Sequence, residues 1–293
     1  MAVFSNAALR VATIVRSMDI LMTGATGKVG SRLAKRLVQQ GHSVRALVRD
    51  PSRATALTGH GVTLVTGDLL EAASLPAAVA GVDAVVHCAA FFRGATPEEA
   101  HAVNEVGTRH LALSARDAGV SRFLFTSTCL VYGPKGGGLA HEDDACAPVD
   151  AYPLSKLAAE RMLLEIEGLT VGILRLPFVY GDGDPHIQDV VPLMRHFPPA
   201  QRMAIGHHAD VAQAVIRWLD TQSPRHRIYN VVDDDAPDIA TLFASVGEPP
   251  PDGADPGRAQ AFDARLDGRR IREDLGFRPL YPTLAAAMAA GAA

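Results

Sequence analysis

The 293-residue sequence predicts an α/β protein, a doubly wound parallel sheet followed by a small C-terminal α/β substrate lobe. Three observations predict it. Short apolar runs alternate with helix-patterned stretches from residue 19 to residue 176. The first run stops at a glycine-rich string that leads into the first helix. The composition, 48% hydrophobic and 20% charged, is that of a globular chain able to bury a core without staples.

Taken in order, residues 19–23 form a first apolar strand. Residues 29–40 repeat apolar side chains at Val29, Leu33, Leu37 and Val38, the spacing of one helix face. Residues 44–48 read as a second strand; Pro51 suits the first turn of the helix that follows, and Asp50 its cap. A third strand, 62–65, runs into Gly67-Asp68, and a fourth, 84–87, follows the turn Gly81-Val82-Asp83. A long helix over 97–118, a strand over 122–126, a helix over 151–167 and a strand over 171–176 complete the alternation. Right-handed crossovers then place helices on both faces of a parallel sheet.

Beyond Pro177 the pattern becomes irregular. A helix is expected over 210–219 with Asp210 as its cap, a strand over 227–232, and a loop over the Pro/Gly/Asp-rich 248–257. A short helix over 269–275 should stop at Gly276, with Pro279 beyond. The apolar tail 284–293 reads as a packed helix end. The expected organisation is an N-terminal extension over 1–17, a dinucleotide-binding and catalytic domain over 18–180, and a substrate lobe over 181–293.

Charge and cysteine content exclude several classes. Twenty-eight basic against 32 acidic residues give a net charge of −4, which argues against a nucleic-acid partner. Three cysteines without a C-x-x-C pair suggest neither a disulfide framework nor a zinc cage, and a reducing cytoplasm fits them. No apolar run reaches the ~18 residues that span a bilayer. Residues 1–17 hold Arg10 and Arg16 and no acid but lack a long apolar stretch; they are expected to be an upstream start or a disordered extension.

The string Thr23-Gly24-Ala25-Thr26-Gly27-Lys28-Val29-Gly30 sits between strand and helix. Its glycines allow a tight turn, close backbone approach and close helix packing, and the helix N-terminus can hold a pyrophosphate. The fold class is therefore Rossmann-type, with Gly24, Thr26, Gly27, Lys28, Val29 and Gly30 as cofactor contacts. At the end of the second strand, where an acid would bind the ribose of NAD, stands Val48, followed by Arg49. This predicts NADP, with NAD as the lesser choice. Asp68 and Leu69 are placed to bracket the adenine, and Ala89 and Ala90 are small enough to let the cofactor lie against the backbone.

Tyr152 and Lys156 stand four apart, on one helix face, so phenol and ammonium can share a cleft. A phenol with a pKa near ~10 is a poor base at neutral pH, and a neighbouring cation lowers that value. Lys156 can also bond the nicotinamide ribose. Thr128, at the carboxyl end of the fifth strand, can donate a hydrogen bond to a substrate oxygen.

Together these residues resemble the extended short-chain dehydrogenase/reductases, the NAD-dependent epimerase/dehydratase group. The resembling segments are Gly24–Gly30, Thr128-Cys129-Leu130-Val131-Tyr132-Gly133 and the Tyr152–Lys156 pair. Further matches are Asn104-Glu105-Val106-Gly107-Thr108, Arg175-Leu176-Pro177, Val179-Tyr180-Gly181, His207–Ala212 and Leu275-Gly276-Phe277-Arg278-Pro279. The resemblance implies a Thr128, Tyr152 and Lys156 catalytic triad, Asn104 holding its helix and a proton relay, and Pro177 near the nicotinamide. It also implies a homodimer through the two long helices.

The chain departs from that pattern at Cys129-Leu130, where family dehydratases carry an Asp-Glu pair. Lys28 and the Arg45–Asp50 strand end resemble an atypical, NADP-preferring branch that includes non-catalytic cofactor sensors. The expected function is NAD(P)-dependent hydride transfer at a hydroxyl or carbonyl carbon of a small molecule, such as a sugar derivative. The alternatives are a nucleotide-sugar epimerase with tightly bound NAD and a non-catalytic NADP-binding regulator. His207, His208 and Asp210 are expected to be structural rather than metal ligands, Arg202 a surface charge, and 141–144 a solvated loop beside the cleft.

Overall fold

The computed structural model describes residues 17–92, 94 and 96–293, and of Arg258 the backbone only. Apart from Ser17, the expected N-terminal extension lies outside the described residues. The first half of the chain runs β1 (Asp19–Thr23), α1 (Lys28–Gln39), β2 (Ser43–Val48), α2 (Thr55–Thr58), β3 (Thr63–Thr66), α3 (Leu75–Val79), β4 (Ala84–His87), α4 (Pro97–His101), α5 (Gly107–Asp117) and β5 (Arg122–Thr128). After β6 (Leu139–Ala140) come α6 (Ala151–Glu165), β7 (Thr170–Leu176), β8 (Phe178–Tyr180), α7 (His186–Val190), β9 (Ile205–His207), α8 (His208–Asp220) and β10 (Ile228–Asn230). The chain closes with α9 (Ile239–Ser245), α10 (Pro256–Ala259), β11 (Arg265–Leu266), α11 (Arg269–Leu275) and α12 (Leu284–Ala289).

Seven strands form one parallel sheet in the order β10-β7-β5-β4-β1-β2-β3. The chain winds outward from β1 through β3, then returns to β4 beside β1 and winds the other way. That reversal opens a crevice at the carboxyl ends of β1 and β4, the usual ligand position in such sheets. Alternation along β1 divides the core between the two faces. Ile20 and Met22 pack with Leu33, Leu37, Val215 and Trp218. Leu21 packs with Val85, Phe123, Leu111 and Leu163 on the opposite face.

Gly172 in β7 is a packing requirement, because a Cβ there would lie 2.2 Å from the Trp218 indole. Arg122 stacks 4.3 Å over the same ring and donates to the carbonyls of Trp218 and Thr221 at 2.5 and 2.9 Å. A cation at the end of α8 complements the helix dipole.

The helix expected over 97–118 is a single helix with a π-helical segment, Ala102–Val106, between α4 and α5. Pro97 begins it, and Thr96 and Glu99 form a capping box. Asp210 does not cap α8. The His207 side chain does so, accepting from the Ala209 amide, while Asp210 lies inside the first turn and accepts from the amides of Leu280 and Tyr281. The helix starts two residues earlier than expected because an imidazole nitrogen serves where an acid was sought. The 248–257 loop ends in the short turn α10.

The stretch beyond 181 divides among several places. β10 joins the central sheet beside β7, and α8 and α11 contribute Val211, Val215 and Ile271 to one face of the main core. Much of the rest forms an apolar cluster in which Ile187, Phe197, Ile205, Phe243 and Leu284 meet Tyr180, while Ala204, Val232, Ala264 and Leu266 pack with Val131, Tyr132 and Leu157. Among the described residues no helix is long and apolar enough to cross a membrane.

Candidate active site

The site is one cavity of about 730 Å³ that runs from the β1–α1 turn past the end of β5 to the segment after β8. Gly24 takes φ +68°, and a Cβ on it would lie 2.5 Å from the Ala89 amide nitrogen. The turn thus presses onto the end of β4, where Thr23 Oγ1 accepts from the Ala89 amide at 3.1 Å. At Gly30 a Cβ would fall 2.1 Å from the Gly24 carbonyl oxygen, so α1 can begin this close to the turn only with glycine there. Gly27 caps α1 without a side chain, which leaves the first amides of the helix open to a ligand.

Gly24, Gly27, Lys28, Val29 and Gly30 line one end of the cavity, and Ala90 and Pro177 line it further along. Thr26, Arg49, Asp68, Leu69 and Ala89 are not among its lining residues. Arg49 is exposed just past β2 and pairs with no described residue. Asp50 does cap the turn behind it, accepting from the Ser52 amide at 2.9 Å. Asp68 bonds the Leu70 amide at 3.0 Å, and Leu69 is buried.

Thr128, Tyr152 and Lys156 line the same cavity. Thr128 comes from the end of β5, with its hydroxyl accepting from the Leu130 amide at 3.3 Å. Tyr152 stands in the first turn of α6, and the Phe92 ring meets it edge-on at 4.5 Å. One turn later Lys156 is 1% exposed, its ammonium 3.7 Å from the centroid of Phe125. Burial lowers the Lys156 pKa to about 7, with Cys88 and Glu160 opposing that shift.

The expected lowering of the Tyr152 pKa does not appear. Burial pushes the phenol above its ordinary value and the neighbouring Cys129 adds to this, while Thr128 pulls the other way. The reason is that burial disfavours phenolate more than the Thr128 hydrogen bond can compensate.

Asn104 sits in the π-helical segment and is fully buried. Its carboxamide accepts from the Phe91 amide at 2.7 Å and donates to the Phe91 carbonyl at 3.0 Å and to Ser155 Oγ at 2.9 Å. It therefore ties the loop after β4, which carries Phe92, to the helix that carries Tyr152.

Sequence reasoning missed a group of acids facing the glycine-rich turn. Lys28 is bridged to Asp184 at 3.0 Å and to Asp189 at 2.8 Å. Burial works against its charge, but the two carboxylates prevail and hold its pKa above the ordinary lysine value. His208 donates from Nε2 to Asp184 at 2.9 Å, and burial lowers its pKa to about 4. It is therefore a neutral donor at neutral pH. The only sequence signal was the Asp182-Gly183-Asp184 run just after Val179-Tyr180-Gly181.

The 141–144 segment is not simply a solvated loop. Glu142 is 6% exposed and accepts from the Asn230 amide at 2.9 Å, Asp143 pairs with Arg270, and Asp144 with Lys135 at 2.7 Å. The strand β10 needs an acceptor at its edge, and Glu142 supplies it. Arg202 is an exposed residue paired with Asp235 at 3.0 Å. Among the described residues no cluster of three or more His, Cys, Asp or Glu could hold a metal ion.

The residues fit a dinucleotide. The helix N-terminus offers uncapped amides, and Ser127 Oγ, on the cavity wall, is buried with no hydrogen-bond partner among the described residues. A family model described as "NAD dependent epimerase/dehydratase family" matches residues 20–232. Sterol demethylase protein B of Methylococcus capsulatus is 36% identical over 254 residues, covering 72% of this chain and 77% of that protein. A 3-beta-hydroxysteroid dehydrogenase of Mycolicibacterium neoaurum is 33% identical over 182 residues, covering 56% of this chain and 48% of its own. Several curated relatives are matched, like this dehydrogenase, over about half their length. Among solved structures, the Bordetella bronchiseptica enzyme WbmG in complex with NAD and UDP superposes with a TM-score of 0.78 at 25% identity, covering 94% of this chain and 96% of that one. The chain belongs to the NAD-dependent epimerase/dehydratase family, within the extended short-chain dehydrogenase/reductases.

Proposed function

We propose, from this family membership and the contents of the cavity, that the protein is an NAD(P)-dependent oxidoreductase acting on a hydroxyl or carbonyl carbon of a small molecule. The observation that carries the reading is the meeting of Thr128, Tyr152 and Lys156 in the cavity that begins at the glycine-rich turn. Gly24, Gly27, Lys28, Val29 and Gly30 would hold the pyrophosphate, Ala90 would face the bound dinucleotide, and Pro177 would flank the nicotinamide. Asp68 and Leu69 would bracket the adenine, with Ala89 and Thr26 shaping the backbone around it. The dinucleotide supplies hydride exchange with the substrate carbon.

The protein's own residues manage the proton. With its pKa raised, Tyr152 is a neutral phenol at pH 7, the state that donates a proton to a carbonyl oxygen as it is reduced. Thr128 orients that oxygen. Lys156 stabilises the phenolate left behind and is placed to bond a ribose hydroxyl. Asn104 positions Tyr152 from behind, through Ser155. Arg49, exposed at the end of β2 and paired with no described residue, supports a preference for NADP(H), and the three free cysteines support a reducing cytoplasm. Self-association through 97–118 and 151–167 completes the reading, as does assignment of 18–180 to the cofactor and of 181–293 to the substrate.

The likeness to WbmG, solved with NAD and UDP, favours one other reading, an epimerase of nucleotide sugars. A panel of carbonyl compounds and nucleotide sugars, followed by NADPH absorbance and product stereochemistry, separates the two. Net NADPH consumption supports the oxidoreductase, and inversion without consumption supports the epimerase. Tyr152→Phe should lose about 10²–10⁴-fold in turnover. Near-full turnover in that variant would show the mechanism to be wrong.

A further inference from the structure

We infer that the substrate of this site is a bulky, apolar carbonyl or carbinol compound rather than a nucleotide sugar; the inference rests on the hydride-transfer reading above. Beyond Tyr152 and Pro177 the cavity wall is made by Leu130, Phe178, Leu193, Met194, Phe197 and Phe262. A diphosphate needs guanidinium or ammonium groups, or open helix amides, to replace its water. Two described cations line the cavity, Lys28 and Lys156. Lys28 stands at the glycine-rich end and is engaged by Asp184 and Asp189. Lys156 lies at the Phe125 ring, one helical turn from Tyr152. The two aspartates add negative charge to the wall and so oppose a second anion.

The histidines of that wall, His186 and His208, are engaged by the protein itself, His208 by Asp184 at 2.9 Å. His186 stacks on Phe178 at 4.2 Å and bonds the Val179 carbonyl at 2.9 Å. Arg202 lies outside the lining and is held by Asp235 and the Ala236 carbonyl. The apolar wall also reaches the surface. Leu193 is 51% exposed and Phe92 46% exposed, and both line the cavity. Their burial by a ligand is favourable in proportion to the apolar area it covers.

Calorimetry on the NADP-saturated protein tests this with cyclohexanone, 1-decalone, androstane-3,17-dione and UDP-glucose. Affinity should rise at least tenfold from one ring to two and again to four, with no binding of UDP-glucose. Leu193→Asp should weaken the four-ring ketone at least tenfold and leave NADP binding within twofold. Binding of UDP-glucose above that of every ketone, affinity independent of ring number, or no ketone binding at all would overturn the proposal. NADPH oxidation is measured in parallel. A ketone that binds with the expected ring dependence but is not reduced removes the catalytic reading and leaves the substrate class. Tyr152-dependent reduction without ring dependence does the reverse.

Discussion

The Lys156 ammonium lies 3.7 Å from the centre of the Phe125 ring, and no described carboxylate hydrogen-bonds it. The aromatic face offers a cation some compensation, but far less than water does. A lysine kept here is therefore a stability cost to the folded chain.

That cost has a pH signature. The folded pKa of about 7 lies below the ordinary 10.5, so between these values the unfolded chain binds more protons. The contribution of Lys156 to stability is best above pH 10.5 and falls as pH drops toward 7. Lys156→Met should stabilise the protein by about 1–3 kcal/mol at pH 6, an advantage that shrinks toward pH 10. Thermal unfolding of both proteins from pH 6 to pH 10 checks this; parallel curves would show that Lys156 is not penalised. The same variant should lose turnover.

Gly30 and Gly59 make a contrasting pair. A Cβ at Gly30 meets the Gly24 carbonyl oxygen at 2.1 Å, whereas at Gly59 its nearest neighbour is 4.0 Å away. Gly30→Ala should force the turn away from α1 and weaken dinucleotide binding by about 100-fold. Gly59→Ala should change stability by no more than about 0.5 kcal/mol. Equal binding by the two variants, titrated with NADP and NAD, would mean that the turn does not hold the cofactor.

Arg49 addresses cofactor choice. It stands exposed after Val48, where no acid is present to bond a ribose 2′-hydroxyl. Arg49→Ala should weaken NADP binding by about tenfold or more and leave NAD within twofold, because only the 2′-phosphate needs the guanidinium. Calorimetry with both cofactors reads it directly. A parallel loss for both would assign Arg49 to general attraction of anions.

How much of this was legible in the sequence follows from the range of the interactions. The β1–α1 turn, the Tyr152–Lys156 spacing and the Gly276 helix stop, at φ +65°, depend on neighbours in sequence, so local pattern found them. The parallel sheet followed from alternation. What stayed hidden joins residues far apart, such as Lys28 with Asp189, or Glu142 with the Asn230 amide. Asp210 was misassigned for the same reason, because its partners are amides 70 and 71 residues away. The apolar wall from Leu193 to Phe262 left no mark in the sequence, since side-chain type does not tell a cavity wall from a packed interior.

Asp233 gives the last prediction. It is 4% exposed, accepts from the Tyr180 hydroxyl at 3.0 Å and from the His207 amide at 3.3 Å, and lies behind Gly206, which packs on Pro177. Burial raises its pKa to about 8, and the nearby Asp210 adds to this, while the Tyr180 and His207 hydrogen bonds resist it. The folded chain thus holds a proton that the unfolded chain, titrating near 3.8, releases. Its contribution to stability is fully present below pH 3.8 and is lost as pH rises toward 8. Asparagine keeps an acceptor for the His207 amide and carries no charge to desolvate. Asp233→Asn should therefore be nearly neutral at pH 5 and stabilising by about 1–2 kcal/mol at pH 8. Urea unfolding at the two pH values measures the difference. A variant less stable at pH 8 than at pH 5, relative to the parent, would show that Asp233 is ionised and paired in the folded chain.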